Sequence, residues 1–371
     1  MQLPLYISLI LETLENAGYQ SYVVGGAVRD YLLGYTPCDY DIATKALPEE
    51  VINLFPHTAL TGIKFGTVTV LNEKPVEVTT FRKDSLYLDS RHPSKVSFTA
   101  DIKDDLSRRD FTINAMAYSV KDGLFDPFHG RDDLENKLIK AVGSPEKRFK
   151  EDALRILRAI RFLSTLGYGF QIEQNTLFSM IESASLLSLI SKERLTIEIN
   201  KLLLGVSPEN ALAKLALISP KAFKQDFKLF SLADLPLKLE LRLSCLLKNN
   251  PWFEDWLVLS TRTRRAVKKI LTDYPLPQNQ AQLRHLCFNI GRDHLDDWLA
   301  FRKQKPQANN LVSQPITIDD LAISGTDAVK ILGTGPLVGQ VLLELAFMVR
   351  EDPSLNNREK LLKLIRSKKE P

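Results

Sequence analysis

The chain is short of cysteine, of long apolar runs and of net charge, and each shortage argues against a class of function. Its three cysteines, Cys38, Cys245 and Cys287, are scattered over 371 residues without metal-ligand spacing. That argues against a disulfide framework or structural zinc and fits a reducing cytoplasm. No apolar stretch approaches the roughly 20 residues of a membrane helix. The opening Met1-Gln2-Leu3-Pro4-Leu5-Tyr6 has no basic region ahead of an apolar core, so no secretory signal is expected. The five histidines (His57, His92, His129, His285, His294) have neither a zinc motif nor the His-Asp spacing of a hydrolase. The formal net charge is only +4, so the placement of the cations matters more than their excess.

What is present is ordinary globular material. At 44% hydrophobic and 25% charged, the chain can bury a core, and its length suits two or more domains. Up to Gly143 strand and helix signals alternate. Pro4 to Ala17 has apolar residues at helical spacing and stops at Gly18. Ser21-Tyr22-Val23-Val24 reads as a strand ending at Gly25-Gly26, Ala27 to Leu33 as a helix closed by Gly34, and Tyr40 to Ala43 as a second strand. The β-branched runs Thr67 to Leu71 and Val76 to Thr80, joined by Asn72-Glu73-Lys74-Pro75, read as a hairpin. After Gly143-Ser144-Pro145 the pattern is helical almost to the end. Its breaks fall at Gly167-Tyr168-Gly169, Gly205 to Pro208, Asn249 to Pro251, Pro275 to Pro277 and Gly333 to Pro336. The expectation is an α+β protein: a small head with a mixed β-sheet plus helices, then an all-helical remainder.

Four blocks carry chemistry. Gly25-Gly26-Ala27-Val28-Arg29-Asp30 offers bare backbone and a cation to phosphates, though two glycines before a helix are also a common turn. Cys38-Asp39-Tyr40-Asp41 sets two carboxylates at i and i+2, the same face of a strand, where together they reach one hard cation such as magnesium. Glu77, in a neighbouring β-branched strand, is a candidate third carboxylate or an outward-facing strand residue. Glu151-Asp152-Ala153-Leu154-Arg155-Ile156-Leu157-Arg158 places Asp152 and Arg155 at i, i+3 of a helical stretch. A carboxylate accepts from an exocyclic amine, and a guanidinium donates to a ring nitrogen. Cytosine and adenine present that pair of groups on their pairing edge; uracil and guanine present a carbonyl beside an N–H. Such a pair accepts C and A without a nucleic-acid template. Arg158 continues the stripe. Arg161 lies about half a turn round, at roughly 100° per residue, where it meets phosphate or stays structural. The block Arg108-Arg109-Asp110-Phe111-Thr112-Ile113-Asn114 adds Arg109 for phosphate and Asp110 for a ribose hydroxyl. Between hairpin and block, Arg82-Lys83-Asp84 to Lys95 reads as a basic, mobile loop able to gate the site. The C-terminal stretch Arg358 to Lys369 is an amphipathic helix ending in a basic cluster.

In this order these blocks resemble the bacterial class II tRNA nucleotidyltransferases (CCA-adding enzymes), which share a superfamily with bacterial poly(A) polymerases. Val76-Glu77-Val78-Thr79-Thr80-Phe81-Arg82 and Glu193-Arg194-Leu195 are similar to further motifs of that family, as are Ile323-Ser324-Gly325 and Gly335 to Gly339. The resemblance is dense to about residue 205 and thin from there to about residue 315. It implies a catalytic head (1–143), a neck that reads the nucleobase (144–205), a body (206–285) and a tRNA-binding tail (286–371). It implies template-independent addition of CCA to the tRNA 3′ end from CTP and ATP, with release of pyrophosphate. Asp39 and Asp41 would hold Mg²⁺; Gly25, Gly26, Arg29 and Arg109 would hold triphosphate; Asp110 would meet ribose; Asp152 and Arg155 would read the base with Arg158 and Arg161 in support. The partner is tRNA at its acceptor stem and 3′ end, with no membrane involved; monomer and homodimer are equally compatible with the sequence. The loop has Arg91-His92-Pro93 where many relatives carry a second arginine, which bears on the switch from CTP to ATP. The readings that compete are CC-only or A-only addition, a poly(A) polymerase, and a non-catalytic RNA-binding relative.

Overall fold

The computed structural model describes residues 1–60, 62–84, 96–311 and 314–368. The chain divides into two compact units, Met1–Ser231 with Trp252–Val258, and Leu232–Pro251 with Leu259–Pro371.

The first unit opens with α1 (Leu5–Asn16), β1 (Ser21–Val24), α2 (Gly26–Leu32), β2 (Asp41–Thr44), α3 (Pro48–Leu54), β3 (Thr58–Ala59), β4 (Thr67–Leu71) and β5 (Pro75–Thr80). Strands β6 (Arg82–Asp84) and β7 (Val96–Phe98) form a separate ribbon, followed by α4 (Ile102–Ser107), β8 (Ala117–Ser119), β9 (Gly123–Phe125) and α5 (Gly130–Glu135). The main sheet runs β3-β4-β5-β2-β1-β8-β9. It is mixed: β2 and β5 are parallel, and β1 is antiparallel to both β2 and β8. Period-2 alternation sets the strand faces. In β5, Val76, Val78 and Thr80 are buried while Glu77 is exposed. Tyr22, Val24, Ala43, Phe81, Leu106 and Ala117 pack into one core of the head.

The rest of this unit is helical apart from a two-residue parallel pair, β10 (Leu138–Ile139) with β11 (Gln171–Ile172). Helix α6 (Pro145–Glu151) starts with proline in its first turn and the Ser144 hydroxyl accepting from Lys147 N–H, a normal N-cap. Then come α7 (Leu154–Thr165), α8 (Gln174–Ser183), α9 (Lys192–Leu203) and α10 (Pro208–Phe223). Helix α7 packs on both α9 and α10. In the stretch expected to begin the body, α10 thus belongs to the first unit, because its Ala211, Leu212, Leu215 and Ile218 are buried.

The second unit is helical throughout its described residues: α11 (Leu239–Asn249), α12 (Thr261–Leu271), α13 (Gln280–Ile290), α14 (Arg292–Phe301), α15 (Gly325–Leu332), α16 (Pro336–Glu351) and α17 (Arg358–Ser367), with short 3-10 turns between. Trp298, fully buried between Leu283, Leu286 and Leu295, anchors one of its cores. Leu345, Val349, Leu361 and Ile365 form another. No described helix is long and apolar enough to cross a membrane.

Two expected elements differ in detail. Asp39 lies two residues before β2, which begins at Asp41, and not within the strand. The helix expected to carry both Asp152 and Arg155 is broken: α6 ends at Glu151, Asp152 is extended at φ −149° and ψ 103°, and Arg155 sits in the first turn of α7. The Asp152 carboxylate accepts from Leu154 N–H (3.1 Å), a local bond that competes with helix continuation.

Candidate active site

A cleft of about 470 Å³ in the first unit gathers most of the residues singled out from sequence: Gly25, Gly26, Arg29, Asp41, Arg109, Asp110, Asp152, Arg155, Arg158 and Arg161 all line it. The volume is that of an ordinary small-molecule site. Arg108 and Arg194 bring its arginines to seven, against the three aspartates Asp41, Asp110 and Asp152, so the cleft suits a polyanion.

At one end, β1 runs into Gly25, whose φ of 72° is open to glycine and strained for other residues. A Cβ there would lie 2.8 Å from Arg109 Nη1 and 4.0 Å from Asp41 Oδ2. The missing side chain is what lets the Arg109 guanidinium pass close to the turn. Arg29, one turn into α2, is fixed by three donated bonds: Nε (2.9 Å) and Nη2 (2.6 Å) to Asp30, and Nη1 to Asn114 Oδ1 (2.7 Å). Arg108 and Arg109 share the fully buried Asp105, at 2.8 and 3.3 Å. Burial alone would raise the Asp105 carboxyl, but the two guanidiniums hold it below its ordinary range. The buried Nε of Arg109 has no hydrogen-bond partner among the described residues.

Asp41 opens β2 and stands in register with Glu77 of the parallel strand β5. Desolvation raises the Asp41 carboxyl, Arg109 opposes the rise and Asp39 adds to it. Glu77 is raised as well, by desolvation and then by Asp41. Hard oxygen donors that repel one another beside a cation-lined cleft fit a divalent cation completed by substrate phosphates. Among the described residues, no group of three His, Cys, Asp or Glu side chains is close enough to hold a metal unaided. The donor set fits a magnesium ion that would take its ligands from both protein and nucleotide.

At the other end, the predicted Asp152–Arg155 pair is replaced by two others, because the chain turns between α6 and α7. Asp152 Oδ2 accepts from Arg194 Nη2 of α9 at 2.7 Å. Arg155 donates to Glu151 Oε2 (2.8 Å) and to the carbonyls of Arg148 (3.1 Å) and Arg108 (2.9 Å). Asp110, expected to meet ribose, lines the cleft but has both carboxylate oxygens engaged within the protein. It is buried, with Oδ1 accepting from Phe111 N–H (2.8 Å) and Asn114 Nδ2 (3.0 Å) and Oδ2 accepting from Arg158 Nε (2.7 Å). Burial would raise this carboxyl, yet Arg158 and Asn114 take it far below the usual range. Arg161 pairs with Glu198 Oε2 of α9 at 2.6 Å. Asn114, Glu151, Arg194 and Glu198 carried no assigned role in the sequence reading. A usable signal existed for two of them: Arg194 and Glu198 are i, i+4 on α9, one face that presents a base and an acid to its neighbours. Of the loop expected from Arg82 to Lys95, Arg82–Asp84 form β6, paired antiparallel with β7, and residues 85–95 lie outside the described residues.

A mixed-sheet head, a glycine turn beside paired carboxylates and an arginine-lined cleft define a nucleotidyltransferase. Residues 21–140 match the family model described as the Poly A polymerase head domain, and residues 169–216 match the one described as the probable RNA and SrmB-binding site of polymerase A. The chain is 38% identical to the CCA-adding enzyme of Limosilactobacillus fermentum, covering 95% of this chain and 94% of that protein. It is 37% identical to that of Streptococcus gordonii, covering 97% and 96%. The crystal structure of the Bacillus stearothermophilus CCA-adding enzyme in complex with CTP superposes with a TM-score of 0.85 at 32% identity, covering 99% of this chain and 98% of that one. The chain therefore belongs to the bacterial CCA-adding enzymes, the class II tRNA nucleotidyltransferases.

Proposed function

We infer that this chain adds CCA to the 3′ end of tRNA in the cytoplasm, with the following division of labour among its residues. The tRNA 3′-oxygen attacks the α-phosphate of CTP, of a second CTP and then of ATP. Each time a bond forms from that oxygen to phosphorus, and the bond to the bridging oxygen breaks to release pyrophosphate. Arg29 and Arg109 hold the triphosphate against the bare backbone of Gly25 and Gly26. Asp39 and Asp41 would hold magnesium, which would supply charge neutralisation at the phosphates and lower the pKa of a bound hydroxyl. Asp152, which keeps acceptor capacity beside Arg194 and Leu154 N–H, takes the exocyclic amine of cytosine or adenine. Arg155 has spent three of its five N–H donors on Glu151 and two carbonyls, so it has donors left for the ring nitrogen. Arg158 and Arg161 support this end of the nucleotide. The head spans 1–143 and the base-reading neck 144–205, followed by a body and a tRNA-binding tail.

The observation that carries the reading is the meeting in one cleft of the Gly25-Gly26 turn, Asp41 and Asp152, which are far apart in sequence. The test is the double change Asp39→Ala with Asp41→Ala. Transfer is expected to fall by about 1,000-fold or more while tRNA retention on a filter stays near wild type. Transfer at the wild-type rate would remove the metal assignment.

A further inference from the structure

Phe162 lies in α7 with only 2% of its surface exposed, and it lines the nucleotide cleft. Three guanidiniums converge on its ring: Arg161 at 4.1 Å from the centroid, Arg29 at 5.1 Å and Arg158 at 5.7 Å. Phe111 meets the same ring edge-on, at 90° and 5.9 Å between centroids. A buried phenylalanine needs only apolar neighbours, and three like charges have reason to avoid one another. Each guanidinium has its own carboxylate, Arg29 with Asp30, Arg158 with Asp110 and Arg161 with Glu198, and the negative face of the ring adds an attraction that draws the three to one place.

The contacts close a circuit. Arg29 donates to Asn114, Asn114 donates to Asp110, Asp110 accepts from Arg158, and both arginines face Phe162. The polar half of the circuit fixes one side of each guanidinium, and the ring fixes the other. Arg29 belongs to the end of the cleft beside the Gly25-Gly26 turn, and Arg158 and Arg161 to the end beside Asp152.

We propose that Phe162 is a positioning residue for nucleotide binding: its π face holds Arg29, Arg158 and Arg161 together so that the triphosphate and base ends of the cleft are presented as one preformed site. This deepens the assignment above and rests on it. The ring touches neither reacting atom, so its loss weakens nucleotide binding more than the chemical step.

The test separates the ring's electrostatics from its packing. Phenylalanines bearing one, two and three fluorines are installed at position 162 by nonsense suppression; fluorine drains the negative face with little change of shape. KM for CTP and for ATP is expected to rise stepwise with fluorine number, to about tenfold in total, while kcat changes less than about threefold. CTP binding measured by calorimetry should weaken in the same order, with thermal midpoints unchanged. Phe162→Leu, which keeps an apolar side chain without a π face, should raise KM by about tenfold or more. A flat fluorine series overturns the proposal whatever Phe162→Leu does, since packing alone then explains the ring. Equal losses in kcat and KM across the series overturn it too. End-sequencing of products from saturating CTP and ATP keeps the two ideas apart. A wild-type product other than CCA overturns the function itself, whereas an altered KM with an intact CCA end concerns Phe162 alone.

Discussion

Asp110 joins the arginines of the cleft to the protein interior, and its charge state sets a pH limit. Its carboxyl lies far below its ordinary value because Arg158 and Asn114 outweigh burial. A depressed folded pKa contributes stability that is present above the unfolded value of about 3.9 and is lost as pH falls below it. Acid unfolding of the wild type should steepen below about pH 4. Asp110→Asn should lose about 2 kcal/mol at neutral pH, discounted for the partial exposure of Arg158, and show a shallower acid limb in urea titrations at stepped pH. An unchanged acid limb would remove Asp110 from the account. Asp152 carries the corresponding prediction for selectivity. Asp152→Ala should narrow the preference for CTP over UTP by about tenfold or more, the cost of a lost charge-assisted hydrogen bond. Single-nucleotide incorporation assays with all four triphosphates would check it, and unchanged selectivity would contradict it. At this scale the sequence revealed which residues are chemical but not which partners they take. Asp152 meets Arg194 and Asp110 meets Arg158 across long sequence separations, and spacing rules see only local neighbours.

Helix α12 shows what an element can say without a motif. Its sequence Thr261-Arg262-Thr263-Arg264-Arg265-Ala266-Val267-Lys268-Lys269-Ile270-Leu271 buries Ala266, Val267 and Ile270. It exposes Arg262, Arg264, Arg265 and Lys268, and it contains no acid. Cations crowded at a helix N-terminus oppose the helix dipole, and none of the four makes an ion pair among the described residues. An RNA phosphate backbone relieves both costs. Replacing Arg262, Arg264 and Arg265 by alanine should weaken tRNA binding and lower the slope of log K against log salt by about 2 to 3, leaving KM for CTP unchanged. A salt slope equal to wild type would mean that this face does not meet RNA. Strands were legible where β-branched alternation was long enough, as in β4 and β5. The turn at Asp152 was not, because Glu151-Asp152-Ala153-Leu154 contains neither glycine nor proline and the break is held by a side-chain bond and by Arg194. The two-residue pair β10 and β11 was too short to leave a periodic signal.

For the whole molecule, the change of texture after Gly143-Ser144-Pro145 correctly separated a mixed-sheet region from a helical one, because Ser144 and Pro145 start α6 with a cap. The parallel pairing of β2 with β5 was not legible: it brings Asp41 beside Glu77 through a register that no local pattern encodes. This single chain is expected to carry the full reaction, with one cleft accepting C twice and then A. That expectation is tested most directly by incubating a tRNA transcript that lacks its terminal CCA with the protein, Mg²⁺, CTP and ATP, and sequencing the 3′ ends. A discrete CCA end is expected, with no addition when UTP and GTP replace CTP and ATP. An end that stops at CC, or a run of adenosines, would contradict it.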